Sequence, residues 1–171
     1  MRAVIQRVRG ASVEVAGERV GEIGSGLAVL IGVTHEDREE DASWVARKIA
    51  GLRILDDDQG RMNRSLLDTG DAALIVSQFT LFADTSGGRR PGFTSAAHPT
   101  VAEPLITAVI VSLQSLGIPV ATGKFGADMT INIVANGPVT ILLDSVERPG
   151  RDGSGAAPLG AGKDARGTAT A

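Results

Sequence analysis

LAVLIGV, residues 27–33, is a continuous apolar run that follows the turn residues Gly24-Ser25-Gly26. A run of this length beside a turn is typical of a strand buried on both faces. Upstream, residues 4–15 are rich in valine and alternate imperfectly, Gly17-Glu18 interrupts them, and residues 19–23 resume the pattern. Two such segments around a short break predict a β-hairpin. The chain up to Val33 therefore predicts a hairpin followed by a buried strand.

Two segments further along have helical periodicity. The first follows the charged stretch 36–41, and its apolar side chains recur three or four positions apart, at Ala42, Val45, Ile49 and Leu52. This spacing places them on one face of a helix. The second follows TVAE, residues 100–103, which has the pattern of a capping box, and it ends at Gly117. We expect these two segments to be the main helices.

The remaining pattern predicts more strands and turns. Strands are expected at residues 74–82, 129–133 and 139–143, with a turn at residues 136–138 between the last two. The acidic stretch 56–60 is interpreted as a solvated turn, because its glycine comes too early for a calcium-binding loop. Strands joined mostly by tight turns, with two main helices, predict an α+β domain with a mostly antiparallel, barrel-like sheet.

Composition limits the possible functions. The chain has no cysteine and two histidines, which excludes disulfides, thiolate metal sites and a cysteine nucleophile and leaves little for a metal centre. Its 17 basic and 20 acidic residues give a net charge of −3, which does not suit a protein that holds long DNA by its phosphates. No run reaches the ~18 apolar residues of a membrane span. Charged residues in the N-terminal stretch argue against a signal peptide, so we expect a cytoplasmic protein.

The composition changes near residue 146. Six glycines and six alanines lie between Gly150 and Ala171, with almost no large apolar side chain. Such a segment buries too little surface to offset the entropy lost on ordering. We therefore expect a domain at residues 1–145 and a Gly/Ala-rich flexible tail at residues 146–171.

Three stretches could carry chemistry. SQFTL, residues 77–81, would place Gln78 and Thr80 on one face of a strand, where they either line a pocket or form an ordinary hydrogen-bonded pair. NGPVT, residues 136–140, predicts a turn, most often with a trans Gly-Pro bond. The loop 87–93 contains two arginines, which could hold a phosphate or simply keep the loop soluble.

SQFTL and NGPVT together resemble the two signature motifs of the D-aminoacyl-tRNA deacylase family. QRV at residues 6–8, GRRP at residues 88–91 and TGKFGADM at residues 122–129 fit the same pattern. The resemblance is colinear from Met1 to about Asp144, and the tail matches nothing in it. Two motifs in order at this length make the resemblance highly specific.

The resemblance implies a homodimer that hydrolyses the ester between a D-amino acid, or glycine, and the terminal adenosine of tRNA. It implies no metal and no organic cofactor, and no membrane or DNA partner. It implies catalytic roles for Ser77, Gln78, Phe79 and Thr80, with the N–H groups of Phe79 and Thr80 facing the developing oxyanion. The Thr80 hydroxyl is either a nucleophile or a structural group.

The resemblance also implies how the two enantiomers are distinguished. The Gly137–Pro138 bond is expected to be cis and to reach into the pocket of the partner subunit, where its carbonyls exclude an L side chain. Residues expected to bind substrate or support this filter are Arg7, Met129, Asn136, Gly137, Pro138 and Thr140. Arg89, Arg90 and Lys124 are expected to contact tRNA. The alternative is a non-catalytic RNA- or nucleotide-binding module on the same fold.

Overall fold

The structure, a computed structural model, describes residues 1–151. Its strands are β1 Arg2–Val15, β2 Glu18–Ile23, β3 Gly26–Gly32, β4 Leu55–Asp56, β5 Met62–Arg64, β6 Ala72–Ser77, β7 Val120–Thr122 and β8 Thr130–Asp144. Its helices are α1 Glu39–Gly51, α2 Leu66–Thr69 and α3 Pro99–Ser115, and 3-10 turns lie at Phe79–Phe82 and Ser145–Glu147. The predicted α+β class is confirmed. So are the two main helices, α1 and α3, and the sequence pattern did not indicate the short α2.

β1 is the central strand of the main sheet. It pairs antiparallel with β2, β3 and β8, while β3 pairs parallel with β6 and β6 with β7. The parallel pairs arise because α1 and α3 connect strands that run in the same direction, which requires a crossover. β7 returns close to β2, where a Cβ on Gly21 would lie 2.5 Å from the Thr122 carbonyl oxygen. The sheet is therefore nearly closed, as predicted.

β3 is buried on both faces, as its apolar run predicts. Leu27, Val29 and Ile31 are inaccessible to solvent and pack in the larger core, which includes the inner faces of α1 and α3. Ala28, on the opposite face, packs in a second cluster with Leu74 of β6 and others. The sheet therefore has a filled interior and an outer face covered by helices.

The strand predicted at residues 74–82 is wrong in its second half. The last pair between β3 and β6 joins Ile31 to Ser77, and β3 ends at the next residue, Gly32. β6 therefore has no partner strand beyond Ser77 and ends there. The Gln78 N–H still donates to the Ile31 carbonyl at 2.7 Å, and a 3-10 turn then occupies Phe79–Phe82. This turn places Phe82 in the interior. The polar residues after Ser77 therefore lie on a turn at a strand end.

The turn predicted at residues 136–138 is also wrong. β8 runs without interruption from Thr130 to Asp144 beside β1. Gln6 is in register with Thr140 and Val8 with Ala135, so residues 136–139 all lie opposite Arg7. Extra residues on one strand of a pair produce a bulge. The stretch around Gly137 is thus a bulge in a long strand rather than a hairpin.

The start of α3 differs from the expected capping box. The N-cap is His98, whose Nδ1 accepts from the Thr100 N–H at 3.4 Å, and Pro99 is the first helical residue. Proline suits this position because its missing N–H would have no helical partner. The predicted end is confirmed, since Gly117 follows the helix with a φ of +82°.

The acidic stretch 56–60 forms the predicted turn, between β4 and β5. The Asp57 carboxylate accepts from the backbone N–H groups of Arg61 and Gln59, at 3.0 Å and 2.9 Å. These bonds stabilise the ionised form and lower the pKa of Asp57 below its ordinary value. No helix within residues 1–151 is long and apolar enough to cross a bilayer.

The segment after residue 145 packs on the N-terminal end of α1. Arg148 Nε lies 3.0 Å from Asp41 Oδ1, and Arg151 Nη1 lies 2.9 Å from Asp37 Oδ1. The carboxylates of Asp37 and Asp41 are 0% and 2% exposed. These contacts extend the packed domain to Arg151, beyond the expected boundary. The rest of the expected tail, residues 152–171, lies outside the described residues.

Removing both cations should destabilise the fold. The double variant Arg148→Ala/Arg151→Ala leaves the buried Asp41 carboxylate without an ion pair, so we expect the free energy of unfolding to fall by about 3 kcal/mol. Urea unfolding of the wild type and the variant measures this. Arg19→Ala is the control, because the exposed Arg19 pairs only with the half-buried Glu14 and the exposed Glu22. Equal losses in the two variants would contradict the packing described for Arg148 and Arg151.

Candidate functional site

A cavity of about 550 Å³ opens where β6 ends. Its walls come from the ends of β3 and β6, the start of the 3-10 turn, the first turns of α3 and the loop before β8. Most of the lining is apolar, and the lining residues are Ile31, Gly32, Val33, Ser77, Gln78, Phe79, Phe93, Ala96, Ala97, Pro99, Ala102, Ile106, Phe125, Gly126, Ala127, Asp128, Met129 and Ile131. A concave, largely apolar pocket with a few polar groups is the usual form of a small-molecule site.

Three of the four expected catalytic residues line this cavity, namely Ser77, Gln78 and Phe79. The fourth, Thr80, does not line it. Its hydroxyl accepts a 2.6 Å hydrogen bond from the Gln78 side-chain amide. The structure therefore joins Gln78 and Thr80 as a pair in which the hydroxyl holds the amide.

The start of the 3-10 turn has backbone N–H groups without a hydrogen-bond partner in the described chain. The first N–H groups of a helical turn have no partner within it. Within residues 1–151, no hydrogen bond occupies the N–H of Phe79 or of Thr80, and no side chain caps the turn. Two adjacent free N–H groups beside a cavity can stabilise an oxyanion.

Gly32 allows the 3-10 turn to lie against β3. A Cβ at this position would be 2.8 Å from the Gln78 carbonyl oxygen and 3.1 Å from Leu81 Cβ. Sequence reasoning missed this role, although a glycine inside an apolar strand is a known sign of close backbone approach. The position of the turn therefore depends on a residue that carries no side chain.

Gly32→Ala should displace the turn. The new methyl group meets backbone rather than a flexible side chain, so we expect a stability loss of about 1–3 kcal/mol. Because the turn carries the free N–H groups, we also expect the ester hydrolysis that the family resemblance implies to slow by about tenfold or more. Thermal unfolding and initial rates measure the two effects. Wild-type activity in the folded variant would contradict the role given to Gly32.

Two aromatic rings meet at the cavity. Phe79 and Phe93 pack edge to face, with ring centroids 5.0 Å apart and an interplanar angle of 71°. Both are exposed, at 57% and 38%. Sequence reasoning missed Phe93, which it treated as the end of a loop. In a chain with only 3% aromatic residues, two exposed rings at one cavity are a useful signal.

The second expected group of residues forms a separate cluster around the β8 bulge. Buried Arg7 donates from Nε to the Asn136 carbonyl oxygen at 3.1 Å. Its Nη1 donates to the Ile54 carbonyl oxygen at 3.0 Å and to Asp56 Oδ1 at 2.6 Å. The β4–β5 hairpin thus holds Arg7, and Arg7 holds the bulge.

The other residues of this cluster complete the bulge. Thr140 Oγ1 lies 2.5 Å from Gln6 Oε1, and Gln6 Nε2 donates to the Val139 carbonyl oxygen at 3.1 Å. The Gly137–Pro138 bond is cis, which confirms that expectation. Of the six residues expected to form the filter, only Met129 lines the cavity of the same chain. The other five, Arg7, Asn136, Gly137, Pro138 and Thr140, do not.

The expected tRNA contacts lie outside the cavity. Arg89 and Arg90 are exposed on a loop closed by paired backbone hydrogen bonds between Asp84 and Gly92, each 2.8 Å. Lys124 is exposed and directly precedes Phe125, which lines the cavity. Of the three, Lys124 is therefore next to a lining residue, and Arg89 and Arg90 lie on the loop that ends before Phe93. In the part of the chain that the structure describes, no group of three or more His, Cys, Asp or Glu could hold a metal ion.

The chain is similar to known proteins over most of its length. The model of the D-Tyr-tRNA(Tyr) deacylase family matches residues 4–144. The D-aminoacyl-tRNA deacylase of Chloroflexus aurantiacus is 58% identical over 156 residues, which are 90% of this chain and 98% of the relative. That of Thermus aquaticus is 54% identical over 150 residues, 88% of this chain and 99% of the relative.

Solved structures share the fold. The c-Myc DNA unwinding element binding protein superposes with a TM-score of 0.78 at 38% identity, covering 84% of this chain and 98% of that one. A probable eukaryotic D-amino acid tRNA deacylase superposes with a TM-score of 0.72 at 17% identity, covering 83% and 97%, which supports the fold alone. With both motifs in place and a family match from residue 4 to residue 144, the chain belongs to the D-Tyr-tRNA(Tyr) deacylase family.

Proposed function

We propose that this chain hydrolyses the ester of D-aminoacyl-tRNA, and of glycyl-tRNA, and so removes wrongly charged tRNA from translation. Family membership makes it a hydrolase that acts on aminoacyl-tRNA. The observation that carries the proposal is the cavity beside the free N–H groups of Phe79 and Thr80. A tRNA substrate implies a cytoplasmic enzyme, because aminoacyl-tRNA is made and used there.

The proposed chemistry needs no protein nucleophile. An aminoacyl ester is already activated, so a positioned water can attack its carbonyl carbon. The Phe79 and Thr80 N–H groups stabilise the oxyanion that forms. The neighbouring 2′-hydroxyl of the terminal adenosine helps to activate the water, which gives up one proton as it attacks. The C–O bond to the ribose then breaks, and the leaving ribose oxygen takes up that proton. The products are a free amino acid and uncharged tRNA.

The active form is proposed to be a homodimer. Gly137 and Pro138 are exposed on β8, which in the described chain pairs only with β1. The same strand exposes three large apolar side chains, Ile133, Val134 and Leu142, at 40%, 59% and 57%. An edge strand with exposed apolar side chains is suited to an interface. A second copy bound at this strand would place its Gly137–Pro138 bulge at the cavity of the first chain. The first chain's own bulge does not line that cavity.

The chiral filter follows from this arrangement. The carbonyl groups of Gly137 and Pro138 from the partner subunit would crowd the side on which an L-amino acid carries its Cβ. A D side chain points toward solvent instead, and glycine has no Cβ. The filter therefore works by excluding L-amino acids from the site. Arg89, Arg90 and Lys124 are proposed to contact the tRNA phosphates around the site.

Turnover of tRNA charged with D-tyrosine tests the proposal against a non-catalytic binding module. We expect ester loss well above the spontaneous rate, for glycyl-tRNA as well, and the same rate in the presence of EDTA. If the protein retains the charged tRNA on a nitrocellulose membrane but does not hydrolyse it, the result would instead favour a non-catalytic binding module. Loss of activity in EDTA, restored by one metal ion, would contradict hydrolysis by water and backbone groups.

The role of the Thr80 hydroxyl can be tested separately. Because it accepts from the Gln78 amide, Thr80→Val should free that amide and lower kcat by about tenfold at most. Thr80→Ser keeps the acceptor and should retain most activity. Rapid quenching during turnover should detect no acyl-enzyme. An ester trapped on Thr80 or Ser77 would show that one of them is a nucleophile.

A further inference from the structure

Arg2, at the start of β1, lies opposite Gly32 of β3 and Asp144 of β8. Residues directly opposite one another in an antiparallel pair point to the same face of the sheet. The Arg2 side chain therefore leaves the sheet on the face toward which a Cβ of Gly32 would point, and the 3-10 turn packs on that face. Only 15% of the Arg2 side chain is exposed, so most of it is covered by its neighbours.

The Arg2 guanidinium contacts the 3-10 turn at its end. Nη1 donates to the Leu81 carbonyl oxygen at 3.3 Å, and Cζ lies 4.8 Å from the centroid of the Phe82 ring. A cation over the face of an aromatic ring is attracted to it, and the attraction grows as the pair loses contact with water. Because Phe82 is 4% exposed, this contact is largely shielded from solvent. One side chain therefore holds the last two residues of the turn.

The same guanidinium is fixed to the end of β8. Its Nε donates to Asp144 Oδ2 at 2.8 Å, and the Asp144 carboxylate is 3% exposed. Hydrogen bonds between two ionised groups are shorter and stronger than neutral ones. Asp144 Oδ1 also accepts from the Val146 N–H at 3.1 Å, which holds the carboxylate in place. Arg2 therefore connects the 3-10 turn to a fixed point of the sheet.

Hydrogen bonds within the turn connect its end to its start. The Leu81 N–H donates to the Gln78 carbonyl oxygen at 3.3 Å, and the Ala83 N–H donates to the Thr80 carbonyl oxygen at 3.0 Å. The free N–H groups belong to Phe79 and Thr80, which directly precede Leu81. A shift at the end of the turn therefore moves these N–H groups relative to the cavity.

Arg2 does not line the cavity, so its effect on the reaction would be indirect. We propose that Arg2 is a positioning residue for ester hydrolysis, because it ties the 3-10 turn to the end of β8 and thereby keeps the Phe79 and Thr80 N–H groups directed at the developing oxyanion. The inference rests on the proposed function and adds to it a residue outside the cavity. Oxyanion donors are effective when they are placed in advance, and an interaction made only in the transition state affects kcat rather than KM.

The test compares Arg2→Lys with the wild type on tRNA charged with D-tyrosine. Lysine keeps a cation beside Asp144, but its single nitrogen replaces neither the two donating nitrogens of a planar guanidinium nor its stacking on an aromatic ring. We expect kcat to fall about tenfold with KM unchanged, while the melting temperature stays near that of the wild type. Arg19→Lys is the matched control, because Arg19 pairs with Glu14 and Glu22, and it should behave as the wild type.

Hydrogen exchange gives a reading that does not depend on turnover. We expect the amides of Leu81 and Ala83 to exchange about tenfold faster in Arg2→Lys, as for the loss of a hydrogen bond to a charged group, and Arg19→Lys to leave them unchanged. Wild-type kcat in Arg2→Lys would overturn the inference, and so would a lower kcat with unchanged exchange. If the wild type hydrolyses no ester, faster exchange in Arg2→Lys still supports the hold of Arg2 on the turn, and the proposed function alone fails.

Discussion

Gly137→Ala is expected to lower kcat/KM for D-aminoacyl-tRNA by about 100-fold, because a misplacement of about 1 Å at a reacting centre can cost that much. Gly137 has a φ of +114°, which side chains rarely adopt, and its Cβ would lie 2.9 Å from Arg7 Nη2 and 3.0 Å from Val139 Cγ2. The methyl group must therefore displace the Arg7 guanidinium or the bulge, and either shift weakens the contact between them. Initial rates on D- and L-aminoacyl-tRNA measure the effect.

Two glycine variants control for other effects of the substitution. Gly117 also has a positive φ, +82°, but nothing lies within 4 Å of its Cβ position, so Gly117→Ala reports backbone strain alone. Gly24 has neither a positive φ nor a neighbour within 4 Å. Both variants should retain activity. A folded Gly137→Ala protein with wild-type rates would show that the bulge does not take part in the reaction.

Arg7→Ala is the second change with a large expected effect. It removes the donor to three oxygens, those of Asn136, Ile54 and Asp56. We expect the free energy of unfolding to fall by about 3 kcal/mol, since the buried Ile54 carbonyl and the half-buried Asn136 carbonyl lose their partner. We also expect slower hydrolysis of the D substrate and a smaller ratio of D to L rates, because the bulge is no longer held in place.

Two further variants separate the filter from general stability. Asp56→Asn weakens the anchor of Arg7 and should narrow the D/L ratio with a smaller loss of stability. Arg19→Ala removes only the ion pairs of an exposed arginine and should change neither the stability nor the D/L ratio. If Arg7→Ala lowers stability while the D/L ratio of the folded enzyme stays at the wild-type value, Arg7 is structural and the filter lies elsewhere.

The local pattern of the sequence was sufficient for the regular elements. The hairpin of β1 and β2, the buried β3 and the two main helices follow from apolar spacing and turn residues, which act within a few positions. The 3-10 turn after Ser77 depends instead on where the partner strand ends, at Gly32. The β8 bulge depends on how many residues face Arg7 across two strands. Neither relation is visible in a local window.

In the site, too, some residues could be predicted from the sequence and others depend on tertiary packing. The two motifs located Ser77, Gln78 and the Gly137–Pro138 bulge through their resemblance to a family. Phe93 and Asp128 reach the cavity from loops whose path is set by tertiary packing. The Gly/Ala-rich composition predicted a flexible tail from residue 146, yet Arg148 and Arg151 pair with buried carboxylates of the domain. Single charged residues at a composition boundary carry no local signal of such contacts.

The measurement that tests the account most directly compares kcat/KM for tRNA charged with D-tyrosine and with L-tyrosine, each corrected for spontaneous loss of the ester. The account predicts hydrolysis of the D ester at least about 100-fold faster than that of the L ester, a difference of about 2.7 kcal/mol between the two transition states. Equal rates for the two esters, or no loss of the D ester above the spontaneous rate, would contradict it.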